Sequence, residues 1–150
     1  MKSPHHFQYK YNAGPLSLKE LSLAKFTTGN CRRAIQDYFY TVNNLYLSPS
    51  EILLPDAYCN TGKFITKNGM VYFNLYKSGD IIYAERIKNK KNNFKSEKER
   101  IYHFHSAIYL GDNKIYHATT ITKETCIWNM EQFNQYYKII AVKRILPNVA

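Results

Sequence analysis

The chain has 150 residues, enough for one domain with a single proper core. Apolar residues make up 45% and charged residues 21%, which excludes a disordered tail, and no apolar run nears the roughly 20 residues that cross a bilayer. Six glycines and five prolines exclude collagen-like and low-complexity classes, while a net charge of +10 points to an anionic partner without choosing among nucleic acid, lipid surface and wall polymer.

With no internal repeat and no Gly/Ser linker, residues 1–150 read as one domain. Ser17-Leu18-Lys19-Glu20 has the spacing of a capping box and predicts a helix running to about Phe26. Thr27–Asn30 breaks that helix, and Asn30 is placed to cap the next one. From Cys31 the apolar positions Ile35, Tyr38, Phe39, Val42, Leu45 and Tyr46 follow at helical spacing. Ser48–Glu51 repeats the capping pattern with Pro49 at the first helical position, and Pro55 ends that short helix. Sheet follows. Asn68-Gly69 predicts a hairpin turn between Lys63–Lys67 and Met70–Leu75. Ser78–Asp80 leads into Ile81–Ala84. Ile101–Leu110 and Lys114–Ile121 flank a turn at Gly111–Asn113. Asn129 caps a helix over Met130–Tyr137, and Tyr137–Ile145 reads as a last strand. Helices followed by an antiparallel meander make an α+β fold, with the helices expected on one side of the sheet.

Cys31 is the first residue of the longest predicted helix. Amide dipoles there favour a thiolate, and Arg32 and Arg33 add positive charge; such settings bring a thiol from about 8.5 to roughly 3.5–7.5. By position alone, a small buried hydrophobe is the commoner fate of cysteine.

The histidines change that balance. A three-residue connection at Gly111–Asn113 sets His105 opposite Thr119 and His117 opposite Ala107, so both rings share one face. A two- or four-residue connection would separate them. Shared placement lets His105 take the thiol proton and His117 orient its ring, the general nucleophile–base–orienter arrangement. His103 has the same parity and is the rival base. Each histidine is otherwise a hydrogen-bonded strand residue.

Residues 105–118, HSAIYLGDNKIYHA, resemble the histidine hairpin of the NlpC/p-sixty cysteine peptidases, papain-like enzymes of bacterial cell-wall turnover. Gly79–Tyr83 is similar to that family's Gly-Asp turn and apolar strand, and the order Cys, Gly-Asp, His, His is the family's order. The resemblance spans about residues 28–145. It implies a papain-like NlpC-type fold, N-terminal helices packed on an antiparallel sheet. It also implies Cys31 as nucleophile, His105 as base and His117 as the third residue, with no cofactor and no metal. The implied reaction is amide hydrolysis, often of a γ-D-glutamyl bond in peptidoglycan stem peptides. Asn30-Cys31-Arg32-Arg33 departs from the family's Asp before the cysteine and Ser-Gly after it, which touches substrate recognition. Arg32 and Arg33 suit an anionic group on a substrate, or lie on the helix's solvent face. For the oxyanion, the N–H of Cys31 is the first candidate donor; Tyr11 or Tyr9 is the second, with Asn30 beside it.

Other readings remain. The same cysteine and histidine serve acyl transfer or deamidation equally well. His103, His105 and His117 would make three zinc ligands, although no H-E-x-x-H helix is present. A basic module binding an anionic polymer needs no chemistry at all. The segment 88–100, diluted with Asn, Ser and Glu, reads as a solvated loop, so nucleic acid is disfavoured. Cys59 and Cys126 read as buried thiols. His5-His6 reads as part of a loose terminus, and most of the 14 tyrosines sit at core spacing. The first fifteen residues hold no apolar stretch, so no cleavable signal is expected in them. Three cysteines without a C-x-x-C spacing argue against a disulfide framework and lean towards a reducing compartment; export by another route stays open.

Overall fold

A computed structural model describes residues 3–23, 26–52, 63–64, 76–87 and 104–145. The predicted Asn68-Gly69 hairpin, the 88–100 loop, Cys59 and His103 lie outside them. In chain order the elements are β1 (Gln8–Tyr9), α1 (Leu18–Ser22), β2 (Thr28–Gly29), α2 (Cys31–Asn43), α3 (Pro49–Ile52) and β3 (Lys63–Phe64). Then come β4 (Ile81–Arg86), β5 (His105–Gly111), β6 (Lys114–Thr119), β7 (Glu124–Asn129), α4 (Met130–Tyr136) and β8 (Tyr137–Arg144).

Among the described residues these strands form one sheet in the order β2-β1-β7-β6-β5-β4-β8-β3. Only β1 and β2 pair in parallel; the other neighbours are antiparallel. The capping residues behave as their chemistry dictates. Ser17 and Glu20 close a reciprocal box at α1, Asn30 accepts from the Arg33 N–H at α2, and Asn129 with Gln132 does the same service at α4. Helix α1 stops at Ser22, short of Phe26, with Leu23 as its C-cap. Asn44, left-handed at φ 54°, ends α2.

The helices occupy both faces, which corrects the one-sided arrangement expected from sequence. Ala34, Ile35 and Phe39 of α2 and Ile52 of α3 pack on Ile81, Tyr83, Ile108, Tyr116 and Ala118. The opposite parity of the same strands, Ile82, Ala84, Ala107, Tyr109 and Ile115, is covered by Trp128, Met130, Phe133 and Tyr137. A strand buried on both faces reads as a continuous apolar run, as in Ile81–Ala84 and Ala107–Tyr109. The short strands β1 and β2, and the whole of β7, went unread in the sequence. Their residues (GluThrCysIleTrpAsn in β7) carry no clean alternation, and the sheet claims them by pairing.

Two positions hold the frame around α2. Gly29 precedes the cap, and a Cβ there would stand 2.7 Å from both Arg33 Cδ and Phe7 Cε1. Asp80, almost fully buried, takes two 2.8 Å bonds from Arg144 and a third of 2.8 Å from the Lys77 N–H, closing the turn into β4.

Candidate active site

The β5–β6 turn decides whether the two histidines meet. Asp112 and Asn113 sit at φ 51° and 61°, making a two-residue turn, and Gly111 at φ 93° forms a bulge beside it. A two-residue turn alone would put His105 and His117 on opposite faces. The bulge adds the missing residue, so Ile108 pairs with Tyr116 and Tyr109 with Ile115. The shared face inferred from a three-residue loop is therefore reached by a different local route.

His105 Nε2 lies 2.7 Å from His117 Nδ1. Both rings are buried in an aromatic box supplied by α4, β7 and β8. Tyr137 stacks on His105 at 4.2 Å between centroids and 9° between planes. Trp128 meets His117 edge-on at 4.5 Å, and Phe133 lies 5.4 Å from His117. Burial holds the His117 imidazole down to about 3. Burial, then the neighbouring His117 and the Arg86 charge, hold His105 well below the ordinary histidine range. Both shifts favour the neutral imidazole. His117 Nε2 is buried, with no hydrogen-bond partner among the described residues.

Cys31 opens α2 as its spacing required, and it is buried. The backbone N–H dipoles of Ser106, Arg32 and Cys31 itself favour its ionised form. Ser106 follows His105 directly, so the thiol rests against the peptide joining them. The His105 ring is hydrogen-bonded to His117, and among the described residues no hydrogen bond joins thiol and ring. The sulfur arrives from the α2 side, whereas the ring lies on the α4 side. His105 is the first residue of β5, paired with Ala84 of β4. The expected low thiol pKa is not found. Burial pushes it up, and the Arg32 charge and the three amides only partly offset that.

The remaining candidates separate clearly. Tyr9 is half-buried and close enough for the Cys31 thiol to raise its pKa further, after burial as the main cause. Tyr11 points to solvent at 68% exposure. Both ends of the Asn30 amide are engaged locally, with Arg33 N–H at 3.0 Å and the Tyr11 carbonyl at 3.1 Å, so Asn30 acts as a structural cap. Arg33 is buried, not solvent-facing: it donates at 2.7 Å to the carbonyls of Gly14 and Thr28. Arg32 is partly exposed and supplies the charge nearest the thiol. Cys126 is half-buried and receives the Thr122 hydroxyl at 3.5 Å. His5 is no loose end: its backbone N–H and ring Nδ1 both bond the buried Asp37 carboxylate at 2.7 Å. Among the described residues no three His, Cys, Asp or Glu side chains are grouped to hold a metal, and no helix is long and apolar enough to cross a membrane. The aromatic box was the feature missed in sequence. Its trace was the cluster Trp128, Phe133, Tyr136, Tyr137 directly after the second histidine.

The fold is that of NlpC proteins. NlpC2 from Trichomonas vaginalis matches with a TM-score of 0.54 and 17% identity, over 93% of this chain and 41% of that one. NlpC1 from the same organism matches with a TM-score of 0.50 and 14% identity, over 95% of this chain and 40% of that one. The chain thus spans about two-fifths of the length of these relatives. No protein-family model and no curated protein matches the sequence.

Proposed function

We propose that this domain is a thiol hydrolase that cleaves an amide bond, with Cys31 as nucleophile, His105 as base and His117 as the residue that orients His105. One observation carries the reading. A helix-heading thiol feels the N–H dipole of Ser106, and the residue just before Ser106 is an imidazole bonded at 2.7 Å to a second imidazole.

The roles select one tautomer. His105 Nδ1 is the ring nitrogen free of the His117 bond, so it is the one available to the thiol proton. His105 then carries hydrogen on Nε2 and donates it to bare His117 Nδ1. His117 carries its own hydrogen on Nε2, the atom left without a partner beside Trp128. Because thiol and imidazole are both neutral at rest, the nucleophile forms as substrate arrives: the S–H proton passes to His105 as sulfur bonds the carbonyl carbon. Catalytic hydrogen bonds commonly tighten only in that complex. The Cys31 N–H and the Tyr9 hydroxyl are the candidate donors to the developing oxyanion; burial keeps Tyr9 protonated. The imidazolium then protonates the leaving amine as the C–N bond breaks. The thioester is cleared by a water that gives its proton to His105, which releases the acid and restores the thiol.

The NlpC-type fold makes peptidoglycan stem peptides, cut at a γ-D-glutamyl bond, the first substrate to try. The test is turnover of defined stem-peptide fragments followed by mass spectrometry. Loss of cleavage in Cys31→Ala and His105→Ala, with circular dichroism unchanged, supports the assignment; full cleavage by folded Cys31→Ala overturns it.

A further inference from the structure

We propose that Tyr137 is a positioning residue for the His105 imidazole: its ring lies parallel on that imidazole while its hydroxyl is tied to Thr119, fixing the plane in which His105 meets His117. The inference rests on the reading of His105 as the base. Three separate contacts define it. The stack is 4.2 Å between centroids and 9° between planes. The Tyr137 and Thr119 oxygens are 2.6 Å apart, and Thr119 is fully buried. Phe133 stacks on Tyr137 at 5.0 Å and 29°, so the tyrosine is itself held.

The topology explains why this residue does the job. Tyr137 ends α4 and begins β8, and β8 pairs with β4. Its side chain reaches past β4 to His105 on β5 and to Thr119 on β6, two residues beyond His117. A single side chain therefore ties together the strands carrying both histidines. The lone His105–His117 bond leaves rotation about its own axis open, and an aromatic face in parallel contact closes that freedom. The groups facing His105 are His117 on β6, Tyr137 on β8, Phe133 on α4, and the Arg86 charge on β4. From α2, the Cys31 thiol lies against the adjoining peptide. The Arg86 guanidinium lies 5.9 Å from the Tyr137 ring centroid and favours a neutral imidazole beneath it.

The test reads the histidines directly in the resting, full-length chain. Nitrogen-15 spectra of the ring nitrogens across pH report tautomer and titration midpoint without any substrate. In Tyr137→Leu, which stays apolar but loses both the stack and the Thr119 tie, the His105 midpoint rises by about one unit or more and its single-tautomer pattern is lost. In Tyr137→Phe, which keeps the stack and drops the Thr119 tie, the midpoint stays nearer the starting protein than in Tyr137→Leu, and the ring signals broaden. Unchanged tautomer and midpoint in folded Tyr137→Leu overturn the proposal. If Tyr137→Leu does not fold, Tyr137→Phe decides alone: altered ring signals uphold it, and identical ones overturn it. The hydrolase reading is scored separately. An unmoved His105 signal in Tyr137→Leu, with turnover still lost in His105→Ala, removes the positioning role only. A moved signal, with turnover indifferent to His105→Ala, removes the hydrolase reading only.

Discussion

His105 Nε2 and His117 Nδ1 face one another at 2.7 Å across two adjacent strands, because Gly111 adds a bulge to a two-residue turn. That bond leaves one nitrogen on each ring, Nδ1 on His105 and the buried Nε2 on His117 beside Trp128, and it makes His117 the partner that holds His105.

That arrangement predicts an order of effects. His105→Ala removes the base and lowers turnover by about 10²–10⁴-fold. His117→Asn keeps an acceptor for the Nε2 hydrogen of His105 and loses less activity than His117→Leu, which has none. Steady-state rates on one stem-peptide substrate rank the three variants. If His117→Leu matches the starting protein, or His117→Asn falls below His117→Leu, the orienting role is wrong.

Burial predicts a sluggish resting thiol. The Cys31 pKa lies above its ordinary value of 9.0, so iodoacetamide labelling at neutral pH is slow and accelerates only in the alkaline range. Mapping the labelled residue by mass spectrometry across pH checks this. Rapid labelling of Cys31 below neutral pH would show that the helix start and Arg32 outweigh desolvation.

The buried imidazoles predict acid sensitivity. In the unfolded chain each takes up a proton near pH 6.5; in the folded chain His117 does so only near pH 3, and His105 is likewise held down by burial. A depressed folded pKa means that the unfolded state binds more protons between these limits. Stability is fully present above pH 6.5 and falls as pH drops from there towards 3, by an amount on the order of a few kcal/mol. Urea midpoints taken from pH 7 to 4 measure it. His117→Leu, which cannot charge, has the shallower slope; equal slopes would place the acid sensitivity elsewhere.

Gly29 offers a test of packing. Its Cβ position is already claimed by two side chains at 2.7 Å, one of them the buried Phe7. Gly29→Ala forces Arg33 or Phe7 to shift at the entry to α2, costing about 1–3 kcal/mol. A shift of that size in the urea midpoint is the expected result. No change would mean that the cap region yields freely and does not hold Cys31 in place.

Much of the layout of the candidate site is legible in the sequence. Asn30 announced a helix start, and the helical spacing from Ile35 to Val42 made Cys31 its first residue. The Gly-Asp-Asn turn between two histidines predicted a hairpin with both rings on one face. Three things were not legible. The thiol's environment was misjudged because dipole and charge can be read from neighbours in the chain, whereas desolvation comes from residues far away in it. The burial of Arg33, which is neither of the two positions its sequence allows for, comes from partners outside the helix, the carbonyls of Gly14 and Thr28. Strand β7 was missed because its pairing with β6, not its own pattern, makes it a strand.

Local chemistry determined where helices begin, where the chain turns and which residues carry reactive groups, since caps, turns and periodicity act over a few residues. Tertiary structure alone decided what those groups became. It put a second helix over the far face of the sheet, enclosed two imidazoles in an aromatic box, and brought the sulfur under the influence of a peptide 75 positions away in sequence, between Cys31 and Ser106. Solvent exclusion and cross-strand contact depend on the whole fold, and no short stretch of this chain encodes them.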